Sequence, residues 1–192
     1  MTHSFITECL VLKSVDYKEA DRILTLFTKS NGKVSAIAKG VRKLTSRKSG
    51  SLDIFNHSKI SLSEWKDFYI VTQAEVINSH GRLKKDLGSQ SFLYLIGETL
   101  DKLLPYHEEN LELFQKVVSK LNEMSKSQNA RETMVDTLVI ILSDLGYWSE
   151  KFPRDTDYIQ RYIESLTDNE LGSSKFMEKI ERLRSDGCSS LW

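Results

Sequence analysis

Apolar and polar residues alternate along the first 80 positions and then change period. Residues 6–13 (ITECLVLK), 22–29 (RILTLFTK) and 33–39 (KVSAIAK) each fit a strand. Asn31-Gly32 separates the last two and supplies the positive φ angles of a tight hairpin. In the third strand Val34, Ala36 and Ala38 share one face, and Lys33, Ser35, Ile37 and Lys39 the other. Residues 40–51 (GVRKLTSRKSGS) are polar, basic and glycine-bearing, as a loop is. Alternation resumes over 52–62, with Leu52, Ile54, Ile60 and Leu62 on one face and Phe55, His57 and Lys59 on the other. Residues 68–77 predict a fifth strand with Phe68, Ile70, Ala74 and Val76 aligned, joined to the fourth by Glu64–Asp67. Five short strands without an intervening helix predict a small antiparallel barrel or sandwich.

Beyond residue 80 apolar positions recur every three or four. Leu93, Ile96, Leu100, Leu103 and Leu104 form one stripe, ended by Pro105. Asn110 suits the cap of a helix carrying Leu111, Phe114, Val117, Val118, Leu121 and Met124. Asn129 with Glu132 resembles a capping box, and Gly146 stands where a left-handed cap closes that helix. Pro153 opens a helix with Ile159, Tyr162, Ile163 and Leu166, and a last one holds Phe176, Met177, Ile180 and Leu183. The pattern therefore predicts a β domain over 1–80 and a helical domain over 81–192.

The 192 residues carry 27 Lys+Arg and 27 Asp+Glu, for zero net charge. With 40% hydrophobic and 28% charged residues the composition is globular. No apolar run of about 18 residues predicts a membrane span, and no basic segment followed by an apolar stretch predicts a secretory signal. The neutrality hides segregation. Residues 1–80 hold 12 basic and 8 acidic side chains, and residues 81–192 hold 15 and 19. Residues 29–50 contain seven cations (Lys29, Lys33, Lys39, Arg42, Lys43, Arg47 and Lys48) and no acid. Such a stretch suits either a solvated face or phosphate binding with release of counterions. Small barrels bind single strands in basic grooves with aromatic stacking. Tyr17, Phe27, Phe55, Phe68 and Tyr69 are the aromatics considered for that role, with Tyr69 and Phe55 opposite their strands' apolar faces.

Catalytic chemistry finds little support. There is no GxSxG, P-loop, GxGxxG or HExxH pattern. Cys9 falls inside a predicted strand and Cys188 near the chain end, and no CxxC provides a zinc pair. The four histidines are scattered, so neither a metal nor a cofactor is expected. Asp16, Glu19 and Asp21 form an acidic cluster better explained by salt bridges with Arg22 or Lys18.

Leu12-Lys13-Ser14, Asp16-Tyr17, Glu19 and Asp21-Arg22 resemble the opening of the RecO family of recombination and repair mediators. So do Leu24-Thr25-Leu26-Phe27-Thr28, Gly32-Lys33 and Ala38-Lys39-Gly40, followed by Arg42-Lys43 and Ser46-Arg47 in the family's basic loop. Leu52, Phe55 and Thr72-Gln73-Ala74-Glu75 fit its next strands, and Leu145-Gly146-Tyr147 a helix ending in its second domain. The resemblance implies an α+β chain: a five-stranded OB-fold barrel, then an all-α domain. It implies binding of single- and double-stranded DNA, strand annealing, and loading of RecA with RecR, without enzymatic chemistry, in the bacterial cytoplasm at the nucleoid. Lys39, Arg42, Lys43 and Arg47 would touch DNA, with Lys33 and Lys48 beside them. The acidic helical half would take protein partners. Among them is the C-terminal tail of single-stranded-DNA-binding protein, with Lys102, Lys116 and Lys120 as candidate rim charges. Many members carry a four-cysteine zinc module after the segment matching Leu145-Gly146-Tyr147. This chain has no cysteine there and is shorter than most members. The alternative reading is a protein-interaction adaptor that does not bind DNA.

Overall fold

The computed structural model describes residues 4–66, 68–127, 129–167, 170–173 and 175–177. Strands β1 (Ser4–Tyr17), β2 (Asp21–Thr28), β3 (Gly32–Ala38), β4 (His57–Trp65) and β5 (Phe68–Asn78) close a barrel in the order β1-β2-β3-β5-β4. All neighbours are antiparallel except β3 and β5, which pair in parallel at Ala36↔Tyr69 and Ile37↔Ile70. This is the expected OB-fold.

β1 explains its own apolar run. Cys9 and Val11 face the barrel interior, while Leu10 and Leu12 face the helices, so both faces of the strand are buried. The interior is filled by Leu24 and Leu26 of β2, Val34, Ala36 and Ala38 of β3, and Ile60 and Leu62 of β4. Two expectations fail here. Residues 52–56 are not strand: a short 3-10 turn at Gly50–Leu52 sends Leu52 into the barrel, and Phe55 adopts a left-handed φ of 62°. β5 also changes face. Its register with β4 slips from Ser61↔Gln73 to Leu62↔Val71, leaving Thr72 as a bulge. Before the bulge it is therefore Tyr69 and Val71 that point inward, after it Ala74, while Phe68 and Val76 lie exposed.

Helices α1 (Gly81–Lys85), α2 (Leu87–Leu103), α3 (Leu111–Met124), α4 (Ala130–Asp144) and α5 (Thr156–Thr167) follow. The expected caps form. Asn110 accepts from the N–H of Leu113, and Asn129 from that of Glu132. Tyr147 N–H reaches Leu142 O and Gly146 N–H reaches Ser143 O, the paired bonds of a Schellman ending. α5 starts at Thr156 rather than Pro153, with the Asp155 carboxylate accepting from Asp157 and Tyr158 N–H. Residues 172–173 and 175–177 are helical, with Met177 buried. Ile180 and Leu183 of the expected last helix lie outside the described residues.

The helical core does not stop at residue 80. Leu10, Leu12, Phe27 and Phe55 from the barrel join Leu93, Leu100, Phe114 and Leu138 in one cluster. Phe27 meets Phe114 edge to face at 5.4 Å, and Phe55 meets Tyr94 likewise. Each such side chain, removed from water, contributes about 1.5–3 kcal/mol before entropy is counted.

Candidate nucleic-acid interface

β3 and the loop after it sort the candidate cations into three groups. Lys39, Arg47 and Lys48 line one open cleft of about 770 Å³ on the barrel surface. Lys59 of β4 joins them, with Ser61, Thr72, Gln73 and Glu75 supplying polar groups. The Thr72 bulge lies on this wall, so the kink in β5 helps shape it. Lys39 and Arg47 are exposed. Lys48 is half-buried and anchors the loop: its Nζ donates to Val71 O at 2.9 Å. Burial pulls its pKa below the ordinary lysine value, while Asp21 opposes that shift.

Arg42 and Lys43 are exposed on the same loop but do not line the cleft. Arg42 leans toward the β1–β2 turn, 3.4 Å from Asp16, and Asp16 also binds Arg22 at 3.0 Å. The acidic cluster thus supplies a salt-bridge partner, as the sequence suggested. Arg42 carries a neutralising neighbour that Lys43 and Arg47 lack among the described residues.

Lys33 leaves the group. It is 5% exposed, its Nζ donates to Asp101 O of α2, and it sits 4.3 Å from the Tyr106 ring centroid. Burial lowers its pKa, with Asp101 opposing. The backbone joins in: Tyr106 bridges Lys33, and His107 N–H donates to Lys33 O at 2.9 Å. Alternation placed Lys33 and Lys39 on one face correctly, but the helical half covers the Lys33 end of it.

The aromatics also redistribute. Phe55 packs on Gly97 of α2 and Phe27 on Phe114, so neither is available for stacking. Tyr69 is partly buried, edge-on to Phe5. Tyr17 is 38% exposed with Lys18 above its ring. Trp65, at the end of β4, was missed. It is 43% exposed, with Lys39 Nζ 5.1 Å and Lys66 Nζ 5.5 Å from its ring centroid. Its position outside the alternating stretch 52–62 hid it, although the neighbouring Lys66 is a usable signal.

On the helical side the three candidate rim lysines all have acidic neighbours. Lys102 lies 3.7 Å from Glu98, Lys116 binds Glu112 and Asp144, and Lys120 binds Glu123. A second opening, of about 740 Å³, lies between β1, α2 and the helical residues 172–173 and 175–177. Leu12, Ile54, Phe55, Tyr94 and Phe176 make it apolar, and Lys13, Lys102, Glu98 and Asp101 contribute its charges. No helix among the described residues is long and apolar enough to cross a membrane.

Residues 1–80, the barrel, match the family described as Recombination protein O N terminal. Proteins named DNA repair protein RecO are similar over longer stretches. That of Heliobacterium modesticaldum is 46% identical over 100 residues, 52% of this chain and 37% of the relative. Those of Bifidobacterium longum and Bifidobacterium adolescentis are 30% and 34% identical over 146 residues, 75% of this chain. The matched region spans 61% and 59% of those two relatives, so the chain covers less than two thirds of their length. The closed five-stranded barrel, the order of motifs along it and these similarities agree: residues 1–80 are a RecO-family N-terminal domain, and the chain is similar to RecO proteins over three quarters of its length.

Proposed function

We propose that this protein is a DNA repair and recombination mediator that binds single- and double-stranded DNA through the barrel cleft and anneals complementary strands. The observation that carries this reading is the convergence of Lys39, Arg47, Lys48 and Lys59 on one open surface. Arg42 and Lys43 extend the cationic surface along the adjoining loop. Cations placed along a backbone neutralise phosphates, and two neutralised strands repel each other less, which speeds pairing without covalent chemistry. About five phosphate contacts give a log–log salt slope of roughly −3.5 for a single strand. The variant Arg47→Ala/Lys59→Ala should lose affinity equally for all sequences and flatten that slope by roughly 1.4. Fluorescence anisotropy at two salt concentrations measures both, and a strand-annealing assay measures the activity. Unchanged affinity and slope in the double variant would reject the cleft and favour the adaptor reading.

RecR and the tail of single-stranded-DNA-binding protein are the proposed partners, and RecA loading the proposed outcome. The apolar opening beside α2 supports the tail, because Leu12, Tyr94 and Phe176 suit an apolar end and Lys13 and Lys102 suit its acids. Titration with a tail peptide should saturate in the micromolar range. A flat titration at high micromolar peptide rejects that partner. RecR rests on the resemblance to RecO proteins, and co-sedimentation of the two purified proteins tests it.

A further inference from the structure

Trp65 stands where the barrel cleft meets the β4–β5 hairpin. It pairs across the ladder with Phe68, and both residues are more than two-fifths exposed. Isolated exposed aromatics are ordinary. This one is set apart by its company. Lys39 lines the cleft and also lies over the Trp65 ring, so the indole continues the cationic surface directly. Lys66, at a left-handed φ of 54°, brings a second ammonium to the same ring. Neither lysine has an acidic partner among the described residues.

We propose that Trp65 is a base-stacking platform, so that the cleft recognises an unpaired nucleotide by its base as well as its phosphates. This rests on the cleft being the DNA surface and adds to it a preference for single strands. The chemistry follows from the arrangement. Phosphates attract Lys39 and Lys66, which frees the indole face they cover. A base one sugar away from such a phosphate can then lie on the ring. Every base has a π-face, so stacking is tolerant of sequence. In a duplex the bases already stack on one another and pair, so the platform gains nothing there without unstacking them. Charge complementarity favours a nucleotide over an apolar protein segment, because both groups next to the rings are cations.

The test compares Trp65→Ala and Trp65→Phe with the unaltered chain on three probes: oligo-dT, an abasic strand of equal length, and a duplex. The abasic strand has the same phosphates and no bases. Trp65→Ala should weaken oligo-dT binding by roughly five- to 150-fold, the range corresponding to loss of one stacked base. Abasic and duplex affinities should hold, as should the salt slope on oligo-dT, since stacking releases no counterions. Trp65→Phe should keep part of the oligo-dT affinity. Oligo-dT should quench the indole fluorescence of the unaltered chain, and most of that quench should vanish in Trp65→Phe. Equal oligo-dT affinity in Trp65→Ala, with abasic binding intact, would overturn the platform while sparing the cleft, and would leave the aromatic pair to a protein partner. Failure of the unaltered chain to bind the abasic strand would overturn the cleft itself, and the platform with it.

Discussion

Gly97 of α2 lets the Phe55 ring pack directly against the helix backbone. A Cβ there would lie 2.2 Å from Cε1 of Phe55, and the ring is held by its own left-handed backbone. Gly97→Ala should therefore destabilise by about 1–3 kcal/mol through overpacking, read as a lower urea midpoint. Gly32 is tighter still: at φ 61° its Cβ would overlap the Glu108 backbone. Cys9 is fully buried, and burial pushes its thiol up to about 12. Thiolate is the reactive form, so a short alkylation pulse at neutral pH should leave the Cys9 peptide unmodified in the folded protein and label it in urea. Lys33→Ala should act on folding rather than on binding. It removes a buried hydrogen bond and a cation–π contact, and should cost about 1–3 kcal/mol of stability. DNA affinity of the folded variant should match that of the unaltered chain.

Strands and helices were legible in the sequence wherever a single period governed them. β2, β3 and the caps of α3 and α4 stand close to where alternation, Asn110 and Asn129 put them. The pattern failed where one extra residue resets it. The Thr72 bulge exchanges the faces of β5, and no side chain announces a bulge when the residues around it are as mixed as Val71-Thr72-Gln73. Asp53–Asn56 misled in a different way. It continues the alternation of β4 but turns, because Phe55 is drawn onto α2. The candidate site was legible as charge and illegible as shape. Seven cations within residues 29–50 were visible, but the division of this stretch between an open cleft, a salt-bridged turn and a covered strand end depends on where the helices dock. Lys59 belongs to the cleft and lies eleven residues past the cationic run, so sequence proximity excluded it.

Barrel and helices share one hydrophobic cluster, so the whole molecule should unfold as a unit. Urea denaturation followed by tryptophan fluorescence and by far-UV circular dichroism should give coincident transitions. The junction also titrates. His80 is buried there at a left-handed φ of 49°, its Nδ1 donating to Phe55 O. Burial lowers its pKa, hydrogen bonds to Phe55 and Asn122 oppose that shift, and the charges of His57 and Lys84 add to it. Below the ordinary value of 6.5 the unfolded chain takes up a proton that the folded chain refuses, so stability should fall as pH drops below about 6.5. His80→Asn, which tolerates the same backbone, should flatten that stage. Glu8 behaves in the opposite sense. Its bond from Lys29 holds its pKa below 4.5, with His57 adding to the effect against burial. Its contribution is complete above about pH 4.5 and is lost as pH falls through the lowered value. The bridge between Tyr106 and Lys33 has a consequence of its own for length. It occupies the edge of β3 at the end away from Lys39, so a strand lying in the cleft cannot continue along β3 and must turn off over β4. The occluded site size should then sit near the short end of the roughly 4–16 nucleotides that barrels of this kind cover. Oligonucleotides trimmed one residue at a time should keep their affinity down to about that limit.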